Sequence, residues 1–155
     1  MKIEGTHLIS APRQKVWNFL IDPHVIAKSI PGCEKMEPLG DDNYEASLKF
    51  GIGAIKGTFT SRVRVSDQEP PSQYRLAIQG NGALGFVRGE GAIRLEDAGL
   101  NTNVLYSGEV QIGGLIASVG QRMVQGFAKQ TISHFFDSIA RQVEDSPHDA
   151  PLPNL

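Results

Sequence analysis

The chain has 155 residues, 40% hydrophobic and 21% charged, with a formal net charge of -2. A chain of that size can close one domain around its own core, and its near-neutral balance lacks the basic footprint of a nucleic-acid binder. A lone cysteine, Cys33, excludes an internal disulfide and fits a reducing compartment. The N-terminus carries Glu4 and no apolar run, unlike a signal peptide. No stretch reaches the roughly 20 apolar residues of a membrane span. A cytoplasmic protein is expected, with any membrane contact peripheral at the inner face of the cell membrane.

Residues 2–9 read as a first strand. Ser10 with Pro12 reads as a helix start, a hydroxyl cap with proline in the first turn, followed by Val16, Trp17, Leu20 and Ile21 at helical spacing. Asp22-Pro23 starts a second short helix with Val25, Ile26 and Ile30, and Pro31-Gly32 ends it. From Cys33 the period changes to two. Tyr44, Ala46, Leu48, Phe50 and Ile52 alternate with polar residues and glycine after the turn at residues 40–43. Four more strands follow. One has Phe59, Ser61, Val63 and Val65 on one side, the next alternates Tyr74, Leu76 and Ile78, then come residues 84–96, and the last carries Val104, Tyr106, Val110 and Ile112. Short turns between them require antiparallel neighbours, because parallel pairs need long crossovers.

Residues 113–145 are the one segment able to form a helix of many turns. Val124, Phe127, Ala128, Thr131, Phe135 and Ile139 share a stripe at 100° per residue. The expected architecture is therefore α+β: a seven-stranded curved antiparallel sheet, two short helices after its first strand, and a long C-terminal helix across its concave face. A single domain over 1–145 and a disordered, proline-rich tail over 146–155 complete the expectation.

Several motifs resolve to structure. Residues 80–85 have the spacing G-x-G-x-x-G, but a strand follows where the dinucleotide fingerprint needs a helix, so Asn81-Gly82 reads as a hairpin turn. Histidines 7, 24, 134 and 148 form no metal set, and His134, Asp137 and Ser138 lie outward on one helix rather than converging. No metal, cofactor or catalytic group is assigned. Cys33 lacks a neighbouring group that would lower its pKa and reads as a small buried residue.

The small residues between the phenylalanines of the stripe leave two readings open, close packing of helix on sheet or a ligand cavity between them. In the second, Trp17, Phe50, Phe59, Leu76, Ile78, Val87, Tyr106, Met123, Phe127, Thr131 and Phe135 line the cavity, with Gly57, Gly89, Gly91, Gly108 and Ala128 supplying space. The long helix also holds more apolar residues than one stripe uses. Ile116, Val119, Phe136 and Val143, rimmed by Arg122, Lys129 and Arg141, would form a partner or membrane patch if exposed.

Ile30-Pro31-Gly32-Cys33-Glu34, preceded by Ala11-Pro12, Val16-Trp17 and Asp22-Pro23, resembles the G-subunit family of carbon monoxide dehydrogenase. The resemblance continues through Gly40-Asp41-Asp42 with Tyr44, GAIKGTF at 53–59, Val63, Ser66-Asp67, Pro70-Pro71, Gly85-Phe86-Val87 with Gly89, Gly113-Gly114 and Phe135-Phe136, and covers about residues 1–143. It implies the helix-grip, START-like (SRPBCC) superfamily, whose sheet and helix enclose an apolar cavity. It also implies a non-enzymatic accessory role beside a molybdenum hydroxylase of the carbon monoxide dehydrogenase type, in membrane recruitment or quinone handling. A bound quinone or lipid is the ligand it suggests. Some relatives carry a linker and an apolar C-terminal anchor where this chain has SPHDAPLPNL, so stable self-anchoring is not expected. Two alternatives stand beside this reading: a START-like enzyme acting on an apolar or aromatic molecule, with His7 and Tyr106 as the available acid or base, or an interaction module with a filled core. A retained apolar molecule separates the first reading from the last.

Overall fold

The computed structural model describes residues 1–147, so most of the expected tail, residues 148–155, lies outside the described residues. Seven strands form one antiparallel sheet: β1 (Lys2–Ile9), β2 (Cys33–Gly40), β3 (Asn43–Ile52), β4 (Ile55–Glu69), β5 (Gln73–Gly82), β6 (Gly85–Ala98) and β7 (Asn101–Gly113). Their order is β1-β7-β6-β5-β4-β3-β2. The last six strands are therefore a meander, and β1 returns to pair with β7. Two helices, α1 (Arg13–Leu20) and α2 (Pro23–Ser29), bridge the two edges of the sheet, and α3 (Gln121–Asp145) follows a short 3-10 turn at Leu115–Val119.

Local chemistry explains the joints. Asp22 caps α2 by accepting hydrogen bonds from the backbone N–H groups of His24 and Val25, satisfying donors that the first turn leaves free. The expected hydroxyl cap of α1 is not formed: Pro12 is its N-cap residue, and the Ser10 N–H instead donates to Glu144 Oε2 at 2.9 Å. The helix starts at Arg13, so Ser10 lies two residues before the capping position. The β5–β6 turn also moves. Gly82 pairs with Gly85, so Ala83 and Leu84 form the loop, two residues beyond Asn81-Gly82. At Gly32 the chain passes so close to the Lys49 carbonyl, with φ +79°, that any side chain would collide with it. Lys49 N–H donates to Gly32 O at 2.8 Å, which ties the end of α2 to β3.

The register carries rows of side chains across the concave face. One row runs Gly5, Tyr106, Ile93, Tyr74; a second runs Val110, Gly89, Ile78, Val63, Tyr44; a third runs Ile112, Val87, Gly80, Ser61, Ala46, Met36. Period-two alternation places all of these on one side of the pleat. The closed core lies at the α1 end, where Ile9, Val16, Trp17, Leu20, Leu95, Val104, Ile139 and Val143 are almost wholly buried. A second, smaller cluster of Ile52, Phe59 and Ile116 sits at the opposite end.

Candidate functional site

Between these two clusters the concave face is not filled. A cavity of about 490 Å³ lies under α3, within the size range of small-molecule sites. Its floor comes from the rows above, its roof from Val124, Phe127, Ala128, Thr131, Ile132, Phe135 and Phe136 of α3, and one side wall from Ile26 of α2 and from Ile30 and Pro31 just after it. Ile78 shows the emptiness directly. It sits in the middle of a central strand, faces the helix, and still exposes 37% of its surface.

The space follows from residue size. Gly80, Gly89, Gly91 and Gly108 replace side chains on the floor, and Ala128 and Thr131 keep the roof shallow. Gly91 and Gly108 pair across β6 and β7, and a Cβ on either would meet the carbonyl of the neighbouring strand at 2.6 Å, so the two strands approach closely only because both are glycine. A second cleft of about 270 Å³, lined by Pro31, Gly32, Lys49, Phe50, Gly51, Phe127, Gln130, Thr131 and His134, shares four residues with the cavity and lies at its flank.

Of the residues assigned to a cavity from sequence, Phe50, Phe59, Leu76, Ile78, Val87, Tyr106, Phe127, Thr131 and Phe135 all lie on its wall. Phe50 packs on Phe59 at 4.8 Å and on Phe127 at 6.0 Å, joining floor and roof. Trp17 and Met123 do not belong there. Trp17 is sealed in the closed core, edge-on to Tyr74 at 5.4 Å, because α1 lies over the end of the sheet and away from the hollow. Met123 is 47% exposed and rests by Gly53 at the β3–β4 turn, since the helix face at its first turn has passed the end of the sheet. Gly57 likewise makes room for Leu84, not for a cavity.

The patch expected from Ile116, Val119, Phe136 and Val143 is not a surface. Ile116 and Phe136 are buried on the cavity wall, Val143 is fully buried in the closed core, and Val119 packs half-buried against the second cluster. The sheet wraps α3 more widely than one stripe requires, and Phe136 stacks on Tyr106 at 4.9 Å. His7 lies on the far side of that ring, 5.9 Å from Phe136 and with Nε2 3.6 Å from Asp137, outside the cavity wall. It therefore cannot act on a molecule held there, whereas Tyr106 borders the space. Cys33 is half-buried rather than buried, because β2 is an edge strand; partial burial pushes its thiol up, against a weaker lowering by the backbone of Lys35.

Sequence reasoning missed the α2 wall and two hydroxyl-bearing positions. A seven-residue helix offers too few turns to reveal its inner face. Tyr74 is wholly enclosed, and burial drives its phenol far above the ordinary tyrosine range, so it stays neutral. Ser61, 4% exposed, lies on the floor of the cavity. The alternation of Phe59, Ser61 and Val63 was the available signal for its direction. Among the described residues no three His, Cys, Asp or Glu side chains could hold a metal, and no helix is long and apolar enough to cross a membrane.

No curated protein matches the sequence. Among solved structures, a conserved protein from Geobacillus kaustophilus is 37% identical, with 96% of this chain and 98% of that one covered and a TM-score of 0.90. A START superfamily protein from Mycobacterium smegmatis (15% identity, 92% and 97% covered, TM-score 0.74) and the Zhui aromatase/cyclase from Streptomyces sp. R1128 (17% identity, 93% of each chain, TM-score 0.68) share the fold. The fold is START-like, and the family model for the G subunit of carbon monoxide dehydrogenase (CoxG) matches residues 5–144. The chain belongs to the CoxG family of carbon monoxide dehydrogenase.

Proposed function

We propose that this chain is a non-enzymatic accessory protein that holds an apolar, lipid- or quinone-like molecule in the cavity under α3, in the service of a molybdenum hydroxylase. The observation that carries the reading is an apolar concave face left uncovered at Ile78 while the rest of the helix–sheet interface is packed. An empty apolar cavity forfeits contacts on every wall, and a ligand that fills it restores them, at roughly 25 cal/mol per Å² before binding costs are subtracted. Ser61 offers one hydroxyl on the floor, enough to orient a carbonyl or hydroxyl of the guest. The hydroxylase enters from the family name alone.

The test is solvent extraction and mass spectrometry of the purified protein, followed by titration with a short-chain quinone and a fatty acid. A retained apolar molecule or saturable binding is expected. Absence of both overturns the reading. Recovery of a molybdenum hydroxylase with the chain from its native extract supports the accessory role, and extracts that contain such an enzyme but release none with the chain count against it.

A further inference from the structure

The flank cleft differs in chemistry from the cavity it joins. Phe127, Gln130, Thr131 and His134 fall at i, i+3, i+4 and i+7 of α3, so a single stripe of the helix borders it. Phe127 and Thr131 border the cavity as well, whereas Gln130 and His134 border the cleft alone and are exposed. Across its own width the helix passes from an apolar roof to a hydrogen-bonding rim. The facing wall is strand backbone. Ile52 and Ile55 close the β3–β4 hairpin, and pairing alternates along it, so Lys49 and Gly51 turn their peptide groups away from β4. Lys49 N–H uses that direction to reach Gly32 O at 2.8 Å. β2 pairs with β3 only as far as Leu48, so no described strand continues beside Gly51, which is exposed and has no side chain to cover its own N–H.

The charge around this mouth has one sign. Among the described Asp, Glu, Lys, Arg and His residues, Lys49, His134 and Glu90 are those that border the cleft or the cavity. Glu90 lies between Gly89 and Gly91 on β6, so strand alternation sends its carboxylate to the convex face. Lys49 stands at the open edge of β3 beside Gly32, where a long side chain can swing its ammonium round the edge to the mouth, and none of the ion pairs among the described residues holds it. Residues 46–58 and 121–136, which supply most of the cleft and its surroundings, contain Lys49, Lys56, Arg122 and Lys129 and no carboxylate.

We propose that the flank cleft holds the polar head of the cavity's guest and that this head is a carboxylate. The ligand class is then a long-chain carboxylic acid, its chain under α3 and its oxygens at Gly51 N–H, the Gln130 amide and the His134 ring. A carboxylate only accepts hydrogen bonds and has sites for all three donors, and bonds to a charged acceptor are the stronger kind. The mouth is open to solvent, so the charged head keeps part of its hydration while the chain is buried. The proposal deepens the apolar-ligand reading and rests on it.

The experiment is calorimetric titration of the full chain with decanoate and with methyl decanoate, which has the same chain without the charge, each kept below the concentration at which it aggregates. Decanoate is expected to bind more tightly than the ester by roughly tenfold or more. Gln130→Ala with His134→Ala should remove most of that preference and Lys49→Gln part of it, with ester binding unchanged. Arg75→Gln, on the convex face, should leave both ligands unaffected. All four residues are exposed, so unchanged thermal melting is expected and checked first. Equal binding of acid and ester by the wild type, or a preference that survives the Gln130 and His134 substitutions, overturns the proposal and leaves the cavity reading standing. A short-chain quinone that binds more tightly than decanoate and is weakened by the same substitutions gives the cleft to a carbonyl head and overturns the carboxylate. Binding of neither decanoate, ester nor quinone removes the cavity reading and the proposal together.

Discussion

The two halves of the interface between sheet and α3 are built from the same alternation and end in opposite states. At the α1 end, Tyr106, Ile93 and Tyr74 on the floor meet Phe136, Ile139 and Val143 above, and Trp17 and Leu20 close the side. At the other end, Gly80, Gly89, Gly91 and Gly108 face Ala128 and Thr131, and no α1 residue other than Leu20 reaches the space. Both halves obey period two on the strands and 3.6 on the helix. What separates them is side-chain volume and whether a third element covers the gap, so polarity patterning specifies a core without specifying that it is full.

The largest expected effect lies in the packed half. Ile139→Ala or Trp17→Ala removes a fully enclosed side chain and should lower the unfolding free energy by about 3–4 kcal/mol, read from urea titration. Ile78→Ala, whose side chain already borders empty space, should cost under about 1.5 kcal/mol, since it deletes fewer contacts and creates little new void. Equal costs would erase the contrast between the halves.

Filling the hollow half sharpens it. Ala128→Phe should keep stability within about 1 kcal/mol, where the same insertion into a tight core costs about 1–3 kcal/mol. Binding of a short-chain quinone should weaken by roughly tenfold or more, corresponding to about 1.4 kcal/mol. A large loss of stability would show that the space is not there.

The smallest effect is nil at neutral pH. Tyr74 holds its proton more firmly folded than unfolded, because burial penalises the phenolate. Below the ordinary tyrosine range both states are protonated and nothing changes. Above about pH 10 the unfolded chain ionises first, so stability should fall as pH rises. Tyr74→Phe should flatten that decline in chemical denaturation between about pH 9 and pH 11, and an unchanged slope would place the phenol in contact with water.

Element types and their order were legible in the sequence because each rests on local rules: Asp22 caps the helix that follows it, short turns force antiparallel neighbours, and the stripe from Val124 to Ile139 fixes the inner face of α3. The family was legible too, from an ordered set of short motifs. Long-range choices were not. Whether Phe136 and Val143 face solvent or core depends on how far the sheet curls around the helix, and whether Trp17 packs or lines the hollow depends on where α1 crosses. The cavity itself was undecided in the sequence, since Gly89, Ala128 and Thr131 serve close packing as readily as open space. Only the distance between floor and roof separates those outcomes, and that distance is set by the α1-end core, whose large side chains hold helix and sheet apart over residues too small to fill the gap.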